Sequence, residues 1–343
     1  MRRIRKLIAT LDQTRDLLVA LGSVAELEHY RGRVIEEMDA IARRVVDDEA
    51  VSNLDHVDVV HARRSVEHGG DHKQTPDARF ERRRYPSAID DPSVLILTPV
   101  KQAAGHLDRY FGLITRLAYP SHRLSLGLLE SDSTDDTYAR LQASLPGLRE
   151  RFKSVTIVQR NFGFQMPAGT PRWSAPWQLA RRVTLAKSRN HLLFAALRDE
   201  DWVLWIDVDL TDYPPDILTQ LLSTGKQIVH PHCVLRPGGP TFDRNAWRNH
   251  GRERMDALRA GPPLVRLDAV GGSMLLVRAD LHRSGLTFPP YLYGRQSRFA
   301  RNPGPFARDG VGEVETEGLG MMAKDMGVEC WGVPDLEVIH APE

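Results

Sequence analysis

The chain is poor in cysteine, has no long apolar run and carries almost no net charge. Its 343 residues include only two cysteines, Cys233 and Cys330, whose wide separation argues against a disulfide framework or a zinc module. Apolar stretches such as 94–97 and 192–197 are far shorter than the roughly 20 residues that span a bilayer. Lysine and arginine number 46 against 45 aspartates and glutamates, a net charge of +1, which argues against a nucleic-acid partner.

The first 92 residues are predicted to form two segments that differ from the rest. Residues 1–47 carry apolar side chains at helical spacing on both sides of a Gly-Ser break, which predicts an amphipathic helical hairpin. Three roles are open for this hairpin: packing on its own domain, self-association or, given its basic start, binding to a membrane surface. Charged residues at positions 12–16 interrupt any signal-peptide core, so we expect a cytoplasmic protein. Residues 48–92 are polar and indicate a linker or surface segment.

Residues 93–343 are predicted to form one α/β domain, because short apolar runs alternate with helical stretches. The predicted sheet is largely parallel. Strands are predicted at 94–98, 124–130, 155–158, 203–206, 228–230, 274–277 and 338–340. Helices are predicted at 106–117, from the acidic turn 131–136 to about 145, and at 184–197.

Two aspartates separated by one residue, Asp207 and Asp209, follow the apolar strand that ends at Ile206. At the carboxyl edge of an open α/β sheet, both carboxylates can converge on one ion. Hard oxygen donors suit Mg²⁺ or Mn²⁺, although the same pattern also occurs as a turn with two solvated aspartates. The run through Thr211 fits two chemistries. One is a nucleotide-sugar glycosyltransferase of the GT-A type, and the other is a haloacid-dehalogenase-type phosphatase with Asp207 as nucleophile.

Three polar features upstream of the aspartates favour the transferase. Thr98 and Pro99 end the first predicted strand and are expected beside a nucleotide. Asp132 follows the second strand, where a carboxylate can accept hydrogen bonds from a ribose or a base edge. Arg189 lies on the helix that leads into the aspartate strand, and its charge is predicted to stabilise a diphosphate leaving group. The phosphatase motif, in contrast, usually opens its domain.

Together these residues resemble the fungal Golgi α-mannosyltransferases of glycosyltransferase family 62, the mannan polymerase subunits. The resemblance extends from residue 94 to the end of the chain, about 250 residues, with its blocks in the family's order. The blocks are LILTPVK at 95, HLDRYF at 106, SDSTDDT at 131, AKSRNHLLFAALR at 186, WVLWIDVDL at 202, VGGSMLLVRADLHRSGLTFPP at 270, ETEGLGMMAKDMG at 315 and WGVPDLEVIH at 331.

The resemblance implies a GT-A fold, GDP-mannose as donor, Mn²⁺ as cofactor and transfer with retention of the α-anomer. By position, it implies that Asp207 and Asp209 bind the metal and that His340 is the third ligand. It also points to an acidic motif, Glu315-Thr316-Glu317-Gly318, at the start of a helix that faces the acceptor. Either carboxylate could orient the acceptor hydroxyl or cap the helix, and Glu317 is favoured for the first role. Asp268 is predicted to bind a sugar hydroxyl, and Gly271 and Gly272 to allow close approach of the backbone to the donor or the acceptor.

The main hypothesis is therefore a retaining, metal-dependent mannosyltransferase that acts on a glycan or glycoconjugate acceptor. Asp209, Arg189 and Glu317 are its expected catalytic residues. Residues 162–177 and 294–314 are expected to be lids. The fungal members begin with a membrane anchor, whereas this chain begins with the predicted hairpin. The resemblance therefore does not identify the acceptor. The alternatives are the phosphatase and a non-catalytic glycosyltransferase-like scaffold.

Overall fold

The computed structural model describes residues 91–167, 169–170, 174–249, 251–294 and 312–342. The predicted hairpin and nearly all of the predicted linker lie outside these residues, as does most of the second predicted lid. The described strands are β1 (Val94–Val100), β2 (Leu124–Glu130), β3 (Ser154–Gln159), β4 (Trp202–Ile206), β5 (Leu210–Asp212), β6 (Ile228–Val234), β7 (Trp247–Arg248), β8 (Glu253–Arg254), β9 (Val265–Leu267), β10 (Met274–Arg278) and β11 (Cys330–His340). The described helices are α1 (Leu107–Thr115), α2 (Thr137–Arg151), α3 (Ala175–Ala196), α4 (Ile217–Ser223), α5 (Met255–Leu258), α6 (Ala279–Arg283) and α7 (Glu315–Asp325).

One mixed sheet organises the described residues. Its strand order is β3-β2-β1-β4-β10-β6-β11-β5, and β9 pairs with β11 outside this path. Strands β1 to β4 are parallel, and β6 is parallel to β11. Strands β10, β5 and β9 run antiparallel to their neighbours. The predicted α/β class is confirmed, with a sheet that is parallel on one side and mixed on the other.

The central strands β1, β4 and β10 are mostly apolar because both of their faces are buried. In β1, Val94 and Ile96 belong to the core on one face of the sheet, whereas Leu95 and Leu97 belong to the core on the other. This alternation follows from the two-residue period of a strand. The first core includes buried residues of α1 and α2, and the second includes buried residues of α3 and α7.

The sheet is curled, and the curl brings β4 and β5 together. Only residues 207–209 separate β4 from β5, although β5 lies four positions away in the strand order. Four strand spacings in a flat sheet amount to about 19 Å, whereas the chain from Ile206 to Leu210 reaches at most about 14 Å. An irregularity in β11 between Val333 and Glu337 bends the sheet in the same region.

Several elements are longer than the sequence predicts. Helix α3 begins at Ala175 rather than at 184, because its first half carries polar residues that obscure the apolar periodicity. Helix α2 continues through Pro146 to Arg151, where the prediction ends at about 145. Strand β6 continues to Val234 although it contains Pro231. Pro231 pairs with β11 next to the bulge in that strand, where the missing N–H of proline costs no ladder hydrogen bond.

No helix among the described residues is long and apolar enough to cross a membrane.

Candidate metal centre and active site

Asp207, Asp209 and His340 come together at the carboxyl edge of β4. The Asp207 N–H donates to the carbonyl of Ser273 at 2.9 Å, which fixes the chain as it leaves β4. His340 is the last residue of β11 and pairs with Leu210 of β5. One ligand atom from each of the three side chains lies within 4.8 Å of the other two. The strand order therefore places the three predicted metal ligands in one cluster.

His340 is oriented by contacts on both sides of its ring. Its Nδ1 donates to the carbonyl of Ala341 at 2.7 Å, which leaves Nε2 facing the Asp209 carboxylate at 3.0 Å. The ring also stacks on Phe242, with centroids 4.3 Å apart. Burial lowers the pKa of His340, but the hydrogen bond and charge of Asp209 outweigh it, so the pKa is raised overall. A fixed Nδ1–H is the usual orientation of a metal-binding histidine.

The Asp207 carboxylate belongs to the cluster and also contacts a buried arginine, Arg189. Burial raises the pKa of Asp207 to about 6, against the opposing charge of Arg189. Arg189 donates from Nη2 to Asp207 Oδ1 at 3.1 Å and to the Gly272 carbonyl at 3.2 Å. The rings of Trp205 and Phe288 lie 5.5 and 5.3 Å from its guanidinium. Because the Arg189 side chain is only 1% exposed, it lies behind Asp207 rather than at an open surface.

The acidic motif begins helix α7, as predicted, but both of its carboxylates are buried. Glu315 Oε1 lies 3.1 Å from Arg189 Nε. Glu317 Oε2 lies 2.6 Å from Arg182 Nη1, and its Oε1 accepts a hydrogen bond from Trp247 Nε1 at 2.8 Å. The acceptor-orienting role of Glu317 stays a prediction, since its side chain is fully enclosed in this structure.

Thr98 and Asp132 both hold neighbouring chain segments in place. The buried Thr98 hydroxyl lies 2.7 Å from the Ile206 carbonyl, to which it donates, and 2.7 Å from the Tyr110 hydroxyl. Asp132 has a φ of 55°, and its carboxylate accepts the N–H groups of Phe162 and Gly163 at 3.0 and 2.9 Å. These contacts fix the end of β1 and the start of the first predicted lid, so direct contact with a nucleoside stays a prediction. Pro99 is half-buried beside Thr98.

Asp268 is held by a cation on α7. Its carboxylate forms an ion pair with Lys324 near the end of α7. The predicted contact with a sugar hydroxyl is untested.

A largely buried carboxylate that the sequence pattern does not reveal, Asp243, supports the same edge of the sheet. It accepts the N–H groups of Gly272 and Ser273 at 2.8 and 3.1 Å, and its Oδ2 lies 3.6 Å from Nε2 of His230. Burial alone would raise the pKa of Asp243, but the interaction with His230 and the backbone donors hold it well below its usual range. Its position between ordinary loop residues gives no sequence signal.

Gly271 provides space for this carboxylate rather than for a ligand. A Cβ atom at Gly271 would lie 2.1 Å from Asp243 Oδ2 and 2.4 Å from His230 Nε2. The sequence predicts close approach of a ligand at Gly271, whereas the group closest to it in the structure is the protein's own Asp243.

Comparison with known proteins identifies relatives over most of the chain. The mannan polymerase II complex anp1 subunit of Schizosaccharomyces pombe is 29% identical over 293 residues, which cover 73% of this chain and 64% of that protein. The chain thus spans less than two thirds of that relative. The mannan polymerase complex subunit MNN9 of Candida albicans is 28% identical over 295 residues, covering 73% of this chain and 75% of that protein.

A solved structure and a family model also match. The mannosyltransferase PcManGT from Pyrobaculum calidifontis, solved in complex with GDP-Man and Mn²⁺, is 18% identical with a TM-score of 0.46, covering 78% of this chain and 63% of that one. The Anp1 family model matches residues 80–262, more than half of the chain. The chain belongs to the Anp1 family, other members of which are subunits of mannan polymerase complexes.

Proposed function

We propose that this chain is a metal-dependent glycosyltransferase that transfers a mannosyl group from GDP-mannose to a glycan or glycoconjugate acceptor, with retention of the α-anomer. The observation that carries the proposal is the cluster of Asp207, Asp209 and His340 at the carboxyl edge of the sheet. The donor class is supported by the mannan polymerase relatives and by the family resemblance of the sequence blocks.

The donor set of the cluster fits Mn²⁺ or Mg²⁺. Two carboxylates and one imidazole are ordinary ligands for Mn²⁺, and with the proton on His340 Nδ1, the Nε2 atom beside Asp209 is the nitrogen that would coordinate. When bound, the cation supplies positive charge beside the diphosphate that leaves. Asp207, Asp209 and His340 would hold it.

The protein's own groups position the reactants around this centre. Arg189 and the Ser273 carbonyl hold Asp207 in place, so the charge of Arg189 acts on the site through that carboxylate. Thr98 and Asp132 hold the segments on which the nucleoside is proposed to lie. In the transfer, the bond from the anomeric carbon to the diphosphate oxygen breaks. The acceptor oxygen then bonds to that carbon on the same face, and its proton passes to the departing diphosphate.

Thermal unfolding with GDP, UDP or ADP, each with and without Mn²⁺, tests the proposal. A ligand at 100 times its Kd adds about 2.7 kcal/mol to the free energy of unfolding. We expect a GDP-selective shift that requires Mn²⁺, followed by transfer of labelled mannose from GDP-mannose to an added mannoside. Absence of any nucleotide shift would contradict the proposal. Release of phosphate from small phosphomonoesters that is lost in Asp207→Asn would instead favour the phosphatase.

We also propose that the chain works in a complex, because its relatives are named as subunits of mannan polymerase complexes. The native mass of the full chain, alone and with co-expressed glycosyltransferases from the same organism, tests this. A monomer that turns over GDP-mannose unaided would contradict the requirement for a partner. A stable complex without turnover would favour the scaffold alternative.

A further inference from the structure

Glu315, the first residue of α7, combines an uncommon backbone conformation with a buried charge. Its φ is 60°, in the left-handed region that side chains disfavour, and its side chain is 2% exposed. Its N–H donates to the Pro289 carbonyl at 2.9 Å, and the Thr316 hydroxyl donates to its Oε2 at 2.9 Å. Non-glycine residues held in this region often mark functional sites.

The Glu315 carboxylate connects α7 to the metal cluster through one arginine. Its Oε1 lies 3.1 Å from Arg189 Nε, and the Nη2 atom of the same guanidinium lies 3.1 Å from Asp207 Oδ1. Arg189 therefore lies between two carboxylates, one on α7 and one in the cluster. The second buried arginine, Arg182, has its closest carboxylate in Glu317 at 2.6 Å, with Glu315 at 3.7 Å.

This arrangement decides how much negative charge is left to bind a cation. Without Glu315, Arg189 would have Asp207 as its nearest counter-charge, and its own positive charge would repel a cation at the cluster. Such effects are large because both side chains of the arginine–glutamate pair are at most 2% exposed.

We propose that Glu315 is a positioning residue that neutralises Arg189 and holds its guanidinium against Asp207, so that the charge of Asp207 and Asp209 stays available to a divalent cation. This inference rests on the proposed metal-dependent function. Of the two buried glutamates at the start of α7, Glu315 then acts on the metal centre through Arg189, whereas Glu317 pairs with Arg182.

Calorimetric titration of the full chain with Mn²⁺ alone tests the inference. Glu315→Gln keeps the size of the side chain but removes its charge, and we expect Mn²⁺ affinity to fall by about tenfold or more. Glu315→Asp keeps the charge and tolerates the left-handed backbone, so we expect affinity within about threefold of wild type. The charge-neutral double variant Arg189→Gln/Glu315→Gln is expected to restore affinity to within about threefold.

A second readout separates this role from a structural one. In mannosyl transfer, Glu315→Gln should raise the Mn²⁺ concentration that gives half-maximal rate, while kcat at saturating Mn²⁺ changes little. A folded Glu315→Gln variant with wild-type Mn²⁺ affinity would overturn the inference and leave the proposed function intact. Should Glu315→Gln not fold, loss of Mn²⁺ binding in the double variant would overturn it equally. A wild-type chain that binds no Mn²⁺ would overturn both.

Discussion

At the scale of single residues, Asp209 is the carboxylate that contacts His340, the third proposed ligand. Its Oδ1 lies 3.0 Å from His340 Nε2, and its backbone carbonyl accepts the Ala341 N–H at 2.9 Å. Asp209→Asn keeps the shape and the backbone contact but removes the charge that a cation needs.

We therefore expect Asp209→Asn to lose the Mn²⁺-dependent stabilisation by GDP, which amounts to about 2.7 kcal/mol at 100 times Kd. Thermal unfolding with and without Mn²⁺ measures it. The matched control is Asp212→Asn, which changes a 63% exposed carboxylate on the neighbouring β5 and should keep the full shift. Equal Mn²⁺-dependent shifts in both variants would contradict the proposal that Asp209 binds the metal.

Gly271 makes a second prediction at this scale. Because a Cβ atom there would lie 2.1 Å from Asp243 Oδ2, Gly271→Ala must displace a buried carboxylate that holds Gly272 and Ser273. We expect the free energy of unfolding to fall by about 1–3 kcal/mol, measured by urea denaturation.

The control for this substitution is Gly112→Ala on α1, where no atom lies within 4 Å of the added Cβ. Alanine in a helix is favoured over glycine by about 0.5–1 kcal/mol, so this variant should be as stable as wild type or more so. A Gly271→Ala variant that behaves in the same way would show that the Asp243 contact is not needed.

The proposed metal ligands could be predicted from the sequence, but the residues that support them could not. Asp207 and Asp209 follow an apolar strand, and His340 ends another, so local pattern and family resemblance suffice. Asp243 and Arg182 have no such signal. Their roles depend on partners that are distant in sequence, and only the three-dimensional pairing of β10 with β4, or of α3 with α7, reveals them.

At the scale of elements, Arg182 joins α3 to the start of α7. It pairs with Glu317 at 2.6 Å and donates to the Val314 carbonyl at 2.7 Å, while its side chain is only 10% exposed. The neighbouring Glu315 and Glu317 raise the pKa of Arg182 despite its burial, which alone would lower it. The carboxylates at the start of α7 therefore depend on a cation supplied by α3.

Arg182→Met should accordingly destabilise the protein by about 3–5 kcal/mol, because Glu317 would be left as a buried charge without its closest partner. Urea denaturation measures the loss. Arg149→Met on α2 is the control, since Arg149 is exposed and a surface arginine contributes at most about 1 kcal/mol. Comparable losses in both variants would mean that the buried pair contributes no more than a surface charge.

At the scale of the whole molecule, the sequence predicts the class of fold better than it predicts how the sheet curls. Alternating apolar runs and helices suffice for an α/β domain. The curl that brings β5 to β11 depends on the short connection at 207–209 and on the bulge in β11, which have no periodic signal. The sequence predicts a largely parallel sheet, and for the same reason it does not reveal the four antiparallel pairings that the sheet contains.

The pH dependence of global stability follows from a buried histidine. His282 Nδ1 donates to the Leu286 carbonyl at 2.7 Å, and its Nε2 accepts from Trp205 Nε1 at 3.4 Å. Burial lowers the pKa of His282 to about 4. An unfolded histidine titrates near 6.5, so the unfolded chain binds more protons between these two values. The contribution of His282 to stability is complete above pH 6.5 and is lost as the pH falls from 6.5 towards 4.

We expect His282→Gln to reduce the slope of unfolding free energy against pH in this window by up to about 1.4 kcal/mol per pH unit. Above pH 7 the two slopes should coincide. Urea denaturation from pH 4.5 to 8 makes the comparison. An unchanged acid slope in the variant would mean that His282 is already protonated in the folded protein.

The strand order has a consequence for local opening of the sheet. The proposed ligands follow β4 and end β11, and β10 and β6 lie between those two strands. A bound cation would link β4 to β11, so β10 and β6 could separate from the sheet only after the metal coordination is broken.

Amide hydrogen exchange in β10 and β6 should therefore slow when Mn²⁺ is added to the full chain. Exchange in β3, at the opposite edge, should stay the same. Equal slowing throughout the sheet would indicate global stabilisation instead. The proposed metal centre would then also stabilise the two central strands, β10 and β6, against local opening.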